Sequence, residues 1–260
     1  MRKLSWLAFF CAWSSALGWG PEGHDLVARI AEAQLSAEAR ARVAAILGPG
    51  STMVSVSSWA DQIRRLRPET GPWHYVDIPI DKPGLDMARD CPNGNCVIEA
   101  LAKMRAKLRD PATPAAERRE ALMFVIHFIG DMHQPLHCSD NHDRGGNDVH
   151  IVFQDRPGNL HGLWDSGLLA RMGRENELFP KLSAASARSR KKFDKGKVSD
   201  WAQQSHKLAQ QMVYGRLPKA APGAPVEITA DYERRADRVI EIQIERAGAR
   251  LAAVLNQDLQ

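Results

Sequence analysis

The 260-residue sequence predicts a mainly α fold, a single-domain bundle of many helices with a short β-hairpin and long loops. Three observations carry that expectation. Apolar residues recur at helical spacing in one segment after another, ending with the stripe Val239, Ile242, Leu251 and Val254. Asp148 to Phe153 alternates like a strand or hairpin arm, and nothing else repeats that pattern at a length able to build a sheet. Finally, 44% hydrophobic and 25% charged residues supply one sizeable core, and the linker Leu217 to Pro225 is followed by only a single helix, roughly Thr229 to Leu255, which must dock on the rest.

Taken in order, Met1-Arg2-Lys3, the apolar run Leu4 to Trp13 and the small residues up to Gly18 read as a secretory signal peptide cut before Trp19. That run is too short to be a permanent membrane anchor, so the protein is expected to be exported, to the periplasm or beyond. Cys11 leaves with the leader. Cleavage removes Arg2 and Lys3 and no acid, which lowers the formal charge from +4 to +2, with 33 bases against 31 acids. A large basic face of the kind that grips duplex DNA is not implied, although a local patch is allowed.

Trp19 then opens a segment whose helical period begins near His24, after an irregular start at Pro21 and Gly23. A cut before Trp19 would place its α-amino group five residues ahead of His24, near enough for both to reach one ion. Taken alone, His24 is an ordinary first-turn residue. Ser36 to Leu47 forms a second helix stopped by Gly48-Pro49-Gly50. In the next helical stretch Trp59 and Ile63 share an apolar face, while Asp61 and Arg64 point elsewhere and could be plain surface charges. Pro72 to Ile80, PWHYVDIPI, is extended and alternating, with His74, Val76 and Ile78 on one side and Tyr75, Asp77 and Pro79 on the other.

CPNGNC is a tight loop, and in an exported protein a disulfide between Cys91 and Cys96 is its natural reading. Cys138 stays open between a soft metal ligand and an unpaired buried thiol. Cys96 to Leu108 is a basic amphipathic helix, followed by a loop into the apolar helix Ala115 to Met132. At the end of that helix His127 and Asp131 lie one turn apart, and Pro135 should end it and let His137 turn back toward the pair. Three ligand-type side chains in eleven residues of an apolar segment favour a metal, because burying them unpaired costs several kcal/mol.

NLHGLWDSGLLARM repeats the spacing with His161 and Asp165 on one helical face. Chance must then act twice. Ser183 to Lys197, with six Lys or Arg, reads as a solvated loop, and Trp201 to Tyr214 as another helix. His133, His142, His150 and His206 are set aside as non-ligands; His133 lies about 240° around the helix from His127. Imidazole and carboxylate sets without thiolates suit catalytic zinc, and a carboxylate flanked by ligands can bridge two ions, the arrangement expected for phosphate-ester hydrolysis.

The motifs WGPEGH, SWAD, WHYVDIP, HFIGDMHQPLH, GGND and NLHGLWD, in that order, resemble the secreted type I zinc-dependent single-strand nucleases, the S-one/P-one group, and more distantly bacterial zinc phospholipase C. The resemblance implies a nuclease domain over residues 19–260 with that family's mainly helical fold and three zinc ions. It gives the first zinc to Asp61, His74, His127 and Asp131, the second to the Trp19 amine and carbonyl, His24 and Asp131, and the third to His137, His161 and Asp165. Asp61 and Arg64 take catalytic roles, and Tyr75 and Asp77, with Arg64, hold the substrate. The Cys91–Cys96 pair matches a family disulfide. Ser166 stands where some relatives carry Asn.

The implied reaction is endonucleolytic hydrolysis of single-stranded DNA and RNA to 5′-phosphate products, with 3′-nucleotidase activity, through a hydroxide bridging the first two ions. A monomer is expected. The alternative is a zinc phospholipase C, against which the family's lipase branch carries Glu at the position of Asp165 and spaces the first His further from the terminal Trp. A second alternative is a periplasmic zinc-binding protein without turnover.

Overall fold

The computed structural model describes residues 19–260, so the signal peptide expected over residues 1–18 lies outside the described residues. The first helix, α1 (Pro21–Glu32), begins on Pro21 itself, where the missing N–H would have been unsatisfied anyway. The irregular start expected before His24 is therefore already helix. Ser36 caps α2 (Ala37–Leu47) by accepting from the Ala39 N–H, and Gly48 ends it at φ 80°. Two short helices follow, α3 (Met53–Val56) and α4 (Trp59–Ile63).

Pro68–His74 winds as a 3₁₀ helix, so the extended segment starts later than the sequence suggested. From His74 to Ile78 the alternation holds: His74, Val76 and Ile78 are buried while Tyr75 and Asp77 face outward. This stretch runs alongside residues 137–140, with Val76 N–H donating to His137 C=O and Ile80 N–H to Asp140 C=O. After α5 (Met87–Asp90) the Cys91–Cys96 disulfide closes its loop, and α6 (Val97–Arg109) starts directly behind it.

The centre of the molecule is α7 (Ala115–Asp131). Every residue from Ala121 to Asp131 is buried, the mark of a helix enclosed on all sides, and α6, α12, α2, α4 and α1 all pack on it. The strands β1 (His150–Phe153) and β2 (Arg156–Asn159) form the expected hairpin. A helical rod follows: α8 (Leu160–Gly162), one wide π-turn over Leu163–Gly167, and α9 (Leu168–Met172).

The basic stretch expected to be a loop is instead the second half of α10 (Glu175–Phe193). Its buried Leu178, Leu182, Ser186 and Phe193 keep helical spacing, and Arg190, Lys191 and Lys192 sit in the last turn, where the helix dipole favours cations. The charge count masked a sparse apolar stripe. Next, α11 (Val198–Leu208) ends in a second π-turn, Ala209–Tyr214. The linker then delivers β3 (Val226–Glu227), which pairs in parallel with β1 to give a three-stranded sheet ordered β2-β1-β3.

The last helix, α12 (Ala230–Asp258), lies across α1 and α10. Its buried stripe runs through Ile240, Ile244, Ala247, Gly248 and Leu251, whereas Val239 and Ile242 are only half-buried. Small residues set this interface: a Cβ on Gly248 would lie 2.3 Å from Ile30 Cγ2. Among the described residues, no helix is long and apolar enough to cross a membrane.

Candidate metal centre

The end of α7 supplies the first pair. One helical turn sets His127 Nε2 at 3.1 Å from Asp131 Oδ2, and His74, entering from the 3₁₀ turn, puts Nδ1 at 2.9 Å from the same oxygen and 3.1 Å from His127 Nε2. Asp61, on α4, completes this cluster with Oδ1 at 3.6–3.7 Å from both rings. The other oxygen of Asp131 looks elsewhere: Oδ1 lies 3.3 Å from His24 Nε2. His24 can reach it because residue 130 is glycine; a Cβ there would stand 2.7 Å from His24 Nδ1. The His24 ring stacks on His127 with centroids 3.9 Å apart.

A third cluster joins the turn after α7 to the rod. His161 Nε2 lies 3.4 Å from Asp165 Oδ2, and the His137 ring is 5.1 Å from that of His161. The two residues are not on a regular α-helical turn as the spacing implied, because the π-turn begins between them. Such turns favour functional positions, since they re-aim a side chain. Asp165 also holds the segment leading into α1, its C=O accepting from Gly20 N–H at 2.8 Å, and Trp19 next to Gly20 is buried.

Three trios therefore converge, each with its donor atoms within 4.8 Å: His24, His127 and Asp131; Asp61, His74 and His127; His137, His161 and Asp165. They fit metal ions by their leftover chemistry. His24 Nδ1 and Nε2, His74 Nε2, Asp61 Oδ1, Asp131 Oδ1 and Asp165 Oδ2 are buried without a hydrogen-bond partner in the described structure. Folded proteins seldom tolerate so many orphans in one place unless something else satisfies them. The opposite ring nitrogens are fixed by carbonyls: Nδ1 of His127 donates to Ser57, of His161 to Gly145, and of His137 to His74. This is the outer support that ligand imidazoles require.

Burial is the largest influence on every group here. It lowers His24 and His137 and, with His137 nearby, takes His161 down to about 3, so these rings are neutral and ready to bind. For Asp131 burial would favour the acid, but the charge and close contact of His127, with His24 and His74 beside it, outweigh it and hold the carboxyl well below its usual range. His127 is the mirror case, raised by Asp131 and Asp61 against burial. Asp165, with only Gln134 as counterweight, is pushed well up.

Through His137 and His161 the third cluster opens into a cleft of about 520 Å³, walled also by Arg64, Tyr75, Asp77 and Arg144. Thus Arg64, Tyr75 and Asp77 belong to the cleft and not to the donor clusters. Burial raises Asp77 to about 6, assisted by the charges of Asp140 and Asp90. Sequence reasoning does not reach the orienting carbonyls of Ser57, His74 and Gly145, the gap at Gly130 or the π-turn. Among the supporting features only Gln134, lying between the ligand candidates Asp131 and His137, has a usable signal. None of the four histidines set aside joins a donor cluster among the described residues, and Cys138 is a buried thiol bonded to the Met132 C=O.

A model of the S1/P1 Nuclease family matches residues 19–260. The chain belongs to the S1/P1 nuclease family. Endonuclease 4 of Arabidopsis thaliana is 31% identical over 94% of the chain and 90% of its own length. Endonuclease 2 of the same plant is 36% identical over 58% of the chain, and Nuclease P1 of Penicillium citrinum 36% over 57%. Those two matches span little more than half of each relative, 56% and 57% of its length. The segments that position the S1/P1-type clusters here run from α1 to the rod, and the mainly helical fold agrees with the resemblance.

Proposed function

We propose that residues 19–260 form a zinc-dependent nuclease domain that hydrolyses phosphodiester bonds in single-stranded DNA and RNA, leaving 5′-phosphates, with 3′-nucleotidase activity. The observation that carries this is the gathering of three donor trios at one end of α7, the third of them lining a cleft that also holds a cation, a ring and a carboxylate outside those trios. The donor set, imidazole and carboxylate only, suits zinc with open positions. Asp131 turns one oxygen to each of two clusters, so it bridges them, and the Trp19 amine, freed by cleavage of a signal peptide, completes the set around His24. Bound zinc supplies an activated water at neutral pH and neutralises charge developing on the phosphate and the departing 3′ oxygen.

The remaining work falls to the chain's own side chains. Arg64 is partly withdrawn from water, which strengthens its pull on a phosphate oxygen in the transition state. Tyr75 presents its ring to an unpaired base and Asp77 accepts a hydrogen bond from that base. A base must leave its stack to enter, hence the preference for single strands. The disulfide agrees with export to the periplasm or beyond, where the protein acts as a monomer in this reading.

Elemental analysis of the purified protein, with cleavage of single-stranded DNA and RNA measured with and without chelator, tests the proposal. About three zinc ions per chain and chelator-sensitive cleavage are expected. Turnover of choline phospholipid without nucleic-acid cleavage would make it a phospholipase, and zinc without any turnover a binding protein. Protein that keeps its leader ahead of Trp19 should lose one ion and most activity; full activity would sink the terminal-amine assignment.

A further inference from the structure

Gln134 is fully buried against the third cluster without being one of its donors: both ends of its amide are engaged inside the protein. Its side chain caps the short helix Pro135–Cys138, with Oε1 accepting from the Leu136 N–H at 2.6 Å. Because a backbone N–H can only donate, that contact fixes which end of the amide is oxygen. Nε2 is left facing Asp165, and it donates to Oδ1 at 2.6 Å. The carboxylate is thereby divided. Oδ1 is committed to the amide, whereas Oδ2 has no hydrogen-bond partner and faces His161 Nε2 at 3.4 Å.

We propose that Gln134 is the positioning residue of the third cluster, locking Asp165 with Oδ2 toward His137 and His161 and so setting how tightly that cluster holds its cation. The proposal rests on the metal reading above. Two structural points support it. Gln134 ties the turn that carries His137 to the rod that carries His161 and Asp165, so one amide spaces all three ligands. A neutral donor is also the chemistry required: Lys or Arg would neutralise Asp165 and compete with the ion, and a carboxylate would repel Asp165 and offer it no proton when ionised. The clamp is anchored from behind, where Ser205 Oγ donates to Met132 C=O at 2.6 Å and Gln243 Nε2 to His133 C=O at 2.8 Å, fixing the two residues that precede Gln134.

The test compares the full zinc-loaded chain with Gln134→Met, which removes donor and acceptor at similar volume, and Gln134→Glu, which keeps the acceptor for Leu136 and loses the amide donor. Each is equilibrated with zinc buffers of graded free concentration and its zinc per chain measured, alongside the thermal midpoint of the metal-free protein. In both variants one ion of three should dissociate at a free zinc level about 10–100-fold above that of the wild type, the usual cost of losing an outer-shell partner. The other two should follow the wild-type curve, and the metal-free midpoint of Gln134→Glu should stay within a few degrees. Identical release of all three ions would overturn the proposal alone. Loss of all three together with a collapsed metal-free midpoint would make Gln134 a folding residue and overturn it as well. Should the wild-type chain hold no zinc, the functional reading fails first.

Discussion

The two sides of the C-terminal end of α7 are built from the same materials and end in opposite states. On the cleft side His24, His74, Asp131 and Asp165 are buried with polar atoms unpaired. Behind, His133 is equally buried but complete: Nδ1 donates to Ile129 C=O at 2.7 Å and Nε2 accepts from Arg250 Nη1 at 2.8 Å. Arg250 in turn donates to Phe193 C=O and Gln204 Oε1 and stacks over Trp201. A buried histidine is therefore a ligand candidate when its second nitrogen is left over among other donors, and a structural residue when both nitrogens are used. Residue type and burial alone do not separate the two.

The strongest way to break this contrast is Asp131→Asn. The side chain keeps its shape and loses the charge shared by two clusters, so zinc content should fall by two ions and cleavage by about 10³-fold or more, several kcal/mol of transition-state stabilisation. Unchanged zinc content would place Asp131 with His133 as a structural residue. Gly130→Ala probes the same side with less force. Helix propensity favours Ala by about 1 kcal/mol, but the new methyl would meet the His24 ring, and neither the helix backbone nor a ring packed on His127 yields easily. The expected result is loss of one ion and a drop of about 10–100-fold in activity. Retention of all ions would show that His24 is not a ligand.

Arg250→Met tests the rear. It strands His133 Nε2, the Phe193 carbonyl and Gln204, and should cost about 3 kcal/mol, or roughly 6 to 12 °C in thermal midpoint, while zinc per chain is unchanged. A loss of zinc without a loss of stability would reverse the two roles. The same side has a pH signature in the metal-free protein. Burial and Arg250 hold His133 well below its usual value, so the unfolded chain takes up the proton first as pH falls. That contribution is complete above pH 6.5 and is lost progressively below it, by up to about 1.4 kcal/mol per pH unit. Urea melts at several pH values read that slope, which should be shallower in His133→Gln.

How much of this was legible follows from where each signal resides. The ligand pairs could be read because a four-residue spacing is a local property of one helix, and the outward side of Tyr75 and Asp77 because alternation is local too. The stripe of α12 holds at Leu251 and Val254 and is misplaced by about one or two residues in its first half, at Val239 and Ile242. Its tight contact is made by Ala247 and Gly248, which carry little hydrophobic weight in a sequence but let α1 come close. The basic half of α10 was misread for the converse reason, since four buried positions among many charges leave little signal. The carbonyls that orient His127, His137 and His161 have no residue-type signature, and a π-turn differs from an α-turn by one residue that no spacing announces. Supports made by backbone remain invisible until the chain is folded.

The smallest expected effect lies at the edge of the cleft, where the contrast between paired and unpaired groups is least sharp. Asp77 has no metal partner and no cation against it; burial first, then Asp140 and Asp90, raise it to about 6. Above that pH it is a carboxylate able only to accept, and below it one oxygen carries a proton. If Asp77 accepts a hydrogen bond from the base, KM for single-stranded RNA should rise as pH falls through about 6, by about 10-fold, the difference between a hydrogen bond to a charged acceptor and one to a neutral acceptor. In Asp77→Asn this step should vanish, leaving a uniformly higher KM, while kcat follows the wild-type profile because the donor clusters are untouched. A wild-type KM that is flat between about pH 5 and pH 7 would remove Asp77 from substrate binding. An equal slope in both proteins would assign the titration to another group.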